Sequence, residues 1–143
     1  IEHSLAHASI VCAVRFSPNG RLLATGSNRI AQVVDVLSGE LRHVLHSPGS
    51  APQNFVFSMA FTADSSHLAQ GSQDGLVRLF SLRTEAVAHT FRGHSGDVYG
   101  VDMGADGLMA TSSRDNTVRL WDLGAQSCTF VLGNVASAAA PGR

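Results

Sequence analysis

An all-β fold of three repeated antiparallel meanders, each with four short strands, is predicted by three features of this chain. Short apolar runs alternate with polar residues and are bounded by Gly, Asn, Asp and Pro, the pattern of half-buried strands joined by tight turns. Three related segments, FSPNGRLLATGS, FTADSSHLAQGS and MGADGLMATSS, recur along the sequence. Aligning them puts Val14, Met59 and Val101 in register at spacings of 45 and 42, and Val36, Leu82 and Leu123 at spacings of 46 and 41. A period of about forty residues holds one sheet of four strands.

The clearest repeat runs from Arg92 to Leu123, opening on Gly93-His94 and ending on Trp121-Asp122. A first strand around Val98, Val101 and Met103 is followed by a turn at Ala105-Asp106-Gly107. A second strand spans Leu108 to Ser113, a polar turn Arg114-Asp115-Asn116, and a third strand Thr117 to Leu123. The segment resembles a WD repeat, the unit of β-propeller blades, and the chain therefore reads as a partial β-propeller of about three such blades. The resemblance implies a buried hydrogen-bond chain joining His94, a second-strand hydroxyl, Asp115 and Trp121, in which each residue satisfies another's polar group. Thr111 is the first choice for the hydroxyl and Ser113 the alternative, because period-2 alternation puts both on one face. A catalytic His94-Asp115 pair is the competing reading, but the network also accounts for Trp121.

In the first repeat, Ser17-Pro18-Asn19-Gly20 is a turn in which Pro presets φ and Asn-Gly accepts positive φ. The next turn, Ser27-Asn28-Arg29-Ile30, is one residue shorter and has no Asp, so this repeat is expected to have lost the polar network. The second repeat keeps Gln73-Asp74-Gly75 but has Phe80-Ser81 in place of Trp121-Asp122, and so lacks the indole. Leu41 to Leu45, Ala86 to Phe91 and Ser127 to Leu132 are the expected fourth, outer strands. The stretch His46 to Asn54, HSPGSAPQN, is an inserted loop standing where Gly-His is expected. The repeats thus occupy about 5–46, 54–91 and 93–132, and the small-residue stretch 134–143 is expected to be a disordered tail.

Composition narrows the function. The chain has 143 residues, 44% hydrophobic and 15% charged, with a formal net charge of −1, which is globular and gives no pull toward nucleic acid or anionic membrane. No apolar run approaches the length of a membrane span. Cys12 and Cys128, 116 positions apart, read as reduced thiols of an intracellular protein. His3 and His7 have i, i+4 spacing but no third ligand near them, and His43, His46, His67 and His89 read as solvated. Neither a nucleophile elbow nor a phosphate-binding glycine loop occurs, so no catalytic residue, metal or cofactor is assigned and a non-enzyme is expected. Three blades leave two open flanks. The chain therefore reads as a fragment of a longer chain, a truncated gene product, or a piece that closes with a second copy, and the resemblance to propeller blades implies a seven-bladed ring completed by the remaining blades or by that copy.

A narrower likeness lies in Ser9 to Asp35, SIVCAVRFSPNGRLLATGSNRIAQVVD. With its Val-Cys before the strand, its Ala-Thr-Gly and its Asn at the turn, this run resembles the first blade of the fungal Tup-type transcriptional corepressors, related in role to the Groucho group. In the third repeat, GHSGDVYGVD and RDNTVRLWDL are similar to that family's early blades. The resemblance implies a nuclear protein-binding platform recruited by DNA-binding repressors and contacting chromatin or the transcription machinery, without reading bases itself. A scaffold for signalling or for ubiquitin-ligase substrate capture is the alternative. In such blades the loops carrying His94 and Asp115 open on one rim, which makes Asp97, Tyr99 and Arg114 candidate partner contacts. By register Phe55, Phe57 and Gln73 in the second repeat, and Ile10 and Cys12 in the first, join them. Ordinary packing competes for each of these, above all for Phe55 and Ile10.

Overall fold

The structure, a computed structural model, describes residues 3–49 and 51–133. The stretch 134–143 lies outside the described residues. Twelve strands follow in order: β1 Ala13–Phe16, β2 Leu22–Gly26, β3 Ile30–Asp35, β4 Leu41–His46, β5 Val56–Phe61, β6 His67–Ser72, β7 Val77–Ser81, β8 Val87–Phe91, β9 Val98–Met103, β10 Leu108–Ser113, β11 Val118–Asp122 and β12 Ser127–Leu132. They form three four-stranded sheets, β1 to β4, β5 to β8 and β9 to β12, each with its strands in sequence order. Every neighbouring pair is antiparallel, as two-residue and slightly longer hairpin turns require. Strands β1, β5 and β9 pack side by side, so the sheets stand next to one another like three blades of a propeller.

Register makes the repeats structurally equivalent. Val14 pairs with Thr25, Met59 with Gln70 and Val101 with Thr111. The pairing of third and fourth strands slips at one place in every sheet, between Val33 and Val34, Leu79 and Phe80, and Leu120 and Trp121. Val34, Phe80 and Trp121 therefore occupy one position, just past a bulge that re-aims the strand.

Local side chains shape the turns. Asn19 accepts from the Ser17 hydroxyl at 2.8 Å and from the Arg21 amide at 3.0 Å, and Gly20 adopts a φ of 72°. In the matching turn of the second sheet, Asp64 accepts from the Ser66 hydroxyl at 2.7 Å, the Ser66 amide at 3.0 Å and the Thr62 hydroxyl at 2.8 Å. Those bonds to Ser66 and Thr62 hold the Asp64 carboxyl down at about 2.

The core lies between the sheets. Ala24, Ala31, Val33 and Leu45 of the first meet Met59, Phe61, Leu68 and Phe80 of the second. Ala69, Val77 and Phe91 of the second meet Val98, Val101, Met109 and Trp121 of the third. Small residues permit this approach. A Cβ on Gly26 would lie 2.8 Å from Val56 Cγ1, and one on Gly71 2.6 Å from Val98 Cγ1. The equivalent residue in the third sheet is Ser112, and there the cross-strand neighbour is the glycine: a Cβ on Gly100 would meet Ser112 Oγ at 2.5 Å.

The outer faces of the first and third sheets leave Val14, Phe16, Val118, Phe130 and Leu132 exposed. On the first of these faces, His3, Ser4 and Leu5 border a cavity of about 260 Å³ with Phe16, Leu23 and Val34. No helix among the described residues is long and apolar enough to cross a membrane.

Candidate functional site

One rim of the three sheets gathers the starts of β1, β5 and β9, the turns between second and third strands, and the linkers that enter each sheet. In the third sheet this rim is tied by a chain of side-chain hydrogen bonds. His94 Nε2 lies 2.7 Å from Thr111 Oγ1 and His94 Nδ1 lies 2.9 Å from Asp115 Oδ2. Trp121 Nε1 donates to the same Thr111 oxygen at 2.9 Å. Asp115 also accepts from the Ser95 amide at 3.0 Å, the Thr117 amide at 2.9 Å and the Thr117 hydroxyl at 2.6 Å.

Of the two candidate hydroxyls it is Thr111 that stands between imidazole and indole. Ser113 has a different task, donating to the Gly96 carbonyl at 2.9 Å and accepting from the Asp115 amide at 3.1 Å. Thr117 belongs to the same cluster, and the sequence reading passed it over. It lies two residues after Asp115, where a short side chain in a turn commonly meets its neighbour's carboxylate.

Burial alone would raise the Asp115 carboxyl, but hydrogen bonds from Thr117, His94 and the Ser95 amide outweigh it and hold the group well below the usual carboxylate range. The folded state therefore resists protonating Asp115 more than the unfolded chain does. Its stabilisation is complete above the unfolded value near 4 and is lost as pH falls from there toward the lower folded value. Asp115→Ala should strand the imidazole and turn amides and cost about 1–3 kcal/mol in urea unfolding at pH 7. The difference from the parent chain should shrink in acid. An unchanged urea midpoint at pH 7 would remove Asp115 from the network.

The first sheet departs from expectation. Its network is not lost, because His7 supplies it: His7 Nε2 lies 2.6 Å from Thr25 Oγ1 and His7 Nδ1 lies 3.0 Å from Ser27 Oγ. Ser27 stands in for the missing turn Asp. A usable signal was present, since His7 precedes Thr25 by 18 residues and His94 precedes Thr111 by 17. Burial lowers the His7 pKa, consistent with a neutral ring sharing protons with two hydroxyls. His3 joins no such cluster, and among the described residues no group of three His, Cys, Asp or Glu could hold a metal ion.

The second sheet is wired differently again. Asn54 Nδ2 donates to Asp74 Oδ2 at 3.0 Å, the Asp74 amide donates to Asn54 Oδ1 at 3.0 Å, and Arg78 forms an ion pair with Asp74. Gln70 occupies the Thr111 position, is 0% exposed, and both polar atoms of its amide lack a partner among the described residues.

Around these loops stand the rim side chains. Tyr99 is 51% exposed, and its ring centroid lies 5.2 Å from that of Phe57, which lies 6.4 Å from Phe55. This aromatic row crosses from the third sheet to the second. Asp97 receives the Arg114 amide on its carbonyl at 2.8 Å, and Phe55 receives the Gln73 amide at 3.0 Å, so each pair fastens a linker to a turn. Arg114, Cys12 and Ile10 are exposed; Gln73, Asp97, Phe55 and Phe57 are half-buried.

A family model described as "WD domain, G-beta repeat" matches residues 1–35, 39–81 and 86–122. The chain belongs to the WD40 repeat family. These WD40 repeats superpose on the solved WD40 repeats of RRP9 with a TM-score of 0.81 at 21% identity, covering 90% of this chain and 40% of that one. In sequence they are 37% identical over 98 residues to the general transcriptional corepressor tupA of Dictyostelium discoideum. They are 40% identical over 104 residues to the transcriptional repressor rco-1 of Neurospora crassa. Those matches take in 68% and 71% of this chain and 17% of each relative. The WD40 repeats thus span about a sixth of the length of these two curated relatives.

Proposed function

We propose that these repeats form part of the protein-interaction platform of a nuclear transcriptional corepressor, docked by DNA-binding repressors and passing their signal to chromatin or the transcription machinery. The observation that carries this reading is the aromatic row Phe55, Phe57 and Tyr99 on the rim, flanked by the exposed Arg114. A half-exposed tyrosine backed by stacked phenylalanines beside an arginine has the composition of an interface anchor. The likeness to tupA and rco-1 supports repression as the setting. Through Asp97, Gln73 and Cys12 the same rim would set the borders of the footprint. A net charge of −1 favours protein partners over direct contact with nucleic acid.

The buried polar cluster serves architecture rather than chemistry in this reading. The His94 side chain is 1% exposed, and both its ring nitrogens are engaged by Thr111 and Asp115, which leaves no room for a substrate.

Tyr99→Ala tests the proposal. Removing an interface anchor should weaken partner binding by about 2 kcal/mol, near 30-fold, with the thermal midpoint unchanged. Affinity capture from nuclear extract with the full chain should recover DNA-binding repressors, and the variant should lose them. Recovery of the same proteins by the variant, or of ligase adaptors in their place, would overturn the assignment.

A further inference from the structure

The turn between β1 and β2 has a counterpart in the second sheet that matches it bond for bond. The Ser17 hydroxyl and the Arg21 amide donate to Asn19 Oδ1 at 2.8 and 3.0 Å, and the Thr62 hydroxyl and the Ser66 amide donate to Asp64 Oδ1 at 2.8 and 3.0 Å. The Gly20 amide donates to the Ser17 carbonyl at 2.9 Å, as the Ser65 amide does to that of Thr62 at 2.9 Å. Gly20 and Ser65 adopt φ of 72° and 60°. One cradle thus holds a carboxylate in the second sheet and a carboxamide in the first. Its bonds from Ser66 and Thr62 keep the Asp64 carboxyl well below the usual carboxylate range, so the cradle favours the charged form.

Two features connect that mismatch to a reaction. Of the five asparagines Asn19, Asn28, Asn54, Asn116 and Asn134, only Asn19 precedes a glycine. Without a Cβ on Gly20, its backbone nitrogen is free to approach the side chain before it, and a Cβ built there would have nothing within 4 Å, so water reaches the site. The second feature is the pair of donors on Oδ1. When a nucleophile adds to the Asn19 side-chain carbon, negative charge develops on that oxygen, where donors at 2.8 and 3.0 Å already point. Asn28 and Asn54 are placed otherwise. Both ends of each amide are tied down, that of Asn28 by Pro52 and the Asn54 amide, that of Asn54 by Asp74.

We infer that Asn19 is a self-modification site, converted to aspartate through attack by the Gly20 backbone nitrogen. That nitrogen leaves its bond to the Ser17 carbonyl, gives its proton to solvent and bonds to Asn19 Cγ. The Cγ–Nδ2 bond then breaks, and Nδ2 takes up a proton and departs as ammonia. Water adds to Cγ of the resulting cyclic imide, the bond to the Gly20 nitrogen breaks, and that nitrogen recovers a proton. A carboxylate and an intact peptide bond remain, with nothing oxidised or reduced. Opening the imide at its other carbonyl would give isoaspartate, whose extra backbone methylene does not suit so tight a turn. The aspartate adds a negative charge to a cavity of about 300 Å³ lined by Asn19, Arg21, Leu22, Asp35, Arg42 and His43, at the end of the sheets away from the aromatic row. That face grows more acidic as the protein ages.

The folded full chain is held in warm buffer near neutral pH and its peptides are mapped over time by mass spectrometry. Asn19 should gain the mass of an amide-to-acid exchange several-fold faster than any other asparagine. Aspartate should exceed isoaspartate at this position in the folded chain, and isoaspartate should exceed aspartate in a urea-unfolded sample. Ser17→Ala removes one donor and should slow the conversion several-fold, whereas Ser17→Thr keeps a hydroxyl, as Thr62 does in the second sheet, and should convert at the parent rate. Asn19→Asp should melt no lower than the parent at pH 7, because the cradle already suits a carboxylate. Conversion of Asn19 no faster than of the other asparagines, isoaspartate as the main folded product, or a lower melting point for Asn19→Asp would each overturn the inference.

Discussion

Trp121→Ala should destabilise the chain by about 3–5 kcal/mol, a large share of what a domain of this size possesses. Trp121 is 2% exposed and fills the seam between the second and third sheets. Its ring meets Phe91 edge-on at 5.4 Å and an interplanar angle of 64°, lies 6.3 Å from His94, and sits under the Arg119 guanidinium at 5.9 Å. Truncation would open a cavity lined by those groups and leave Thr111 without the indole donor. Trp121→Phe is the milder loss. It keeps an aromatic ring, as Phe80 does at the same register of the second sheet, and removes the N–H together with the second ring of the indole, so a smaller loss of about 1–3 kcal/mol is expected. Urea unfolding of both variants decides the matter. If Trp121→Ala costs less than about 1 kcal/mol, the seam is not the stabilising contact that its burial implies.

Asp74→Ala should be nearly as damaging, at about 3 kcal/mol. The Arg78 side chain is 5% exposed and its charge is met by Asp74. Removing the carboxylate leaves a guanidinium in a place where water reaches poorly, and breaking such pairs costs several kcal/mol. The low end applies because the Asp74 side chain is 30% exposed. Adding Arg78→Met to the first substitution removes the orphaned charge and should recover much of the stability, since an apolar side chain of similar length suits the buried site. If the double variant is no more stable than Asp74→Ala alone, the cost arises from the Asn54 contacts and not from the ion pair.

The sequence revealed most where one residue type has one reason to be present. Repeating strand and turn signals predicted three antiparallel meanders of four strands, because a period-2 pattern cut by Asn-Gly or Asp-Gly has few other physical readings. Its account of the first sheet failed for an instructive reason. Judging the network by its turn Asp alone hid the fact that a serine hydroxyl can also meet an imidazole, as Ser27 does for His7. The Asn54, Asp74 and Arg78 wiring was invisible for a related reason. Asn54 sat in a stretch read as loop, and an arginine on a strand looks solvated until the fold shows that its neighbours bury it. The cavity lined by Asn28, Arg29 and Ile30 with His46, Ser47 and Pro52 depends on how the β2–β3 turn closes against residues some twenty positions further along the chain. No local pattern encodes that closure.

The exchange of size between Gly71 with Ser58 and Gly100 with Ser112 has a consequence for how such repeats can be shuffled. Each pair shares one face of its sheet, and in both cases one residue is a glycine and the other a serine, but the hollow lies on the second strand in one and on the innermost strand in the other. Val98 fits the hollow at Gly71. Transposing the second and third repeats would drive a valine of that kind into Ser112, with the vacant space one strand away. Blade order is thus written in relief, as teeth cut for one neighbour. A duplicated or permuted gene segment would have to recut those teeth before its product could stack.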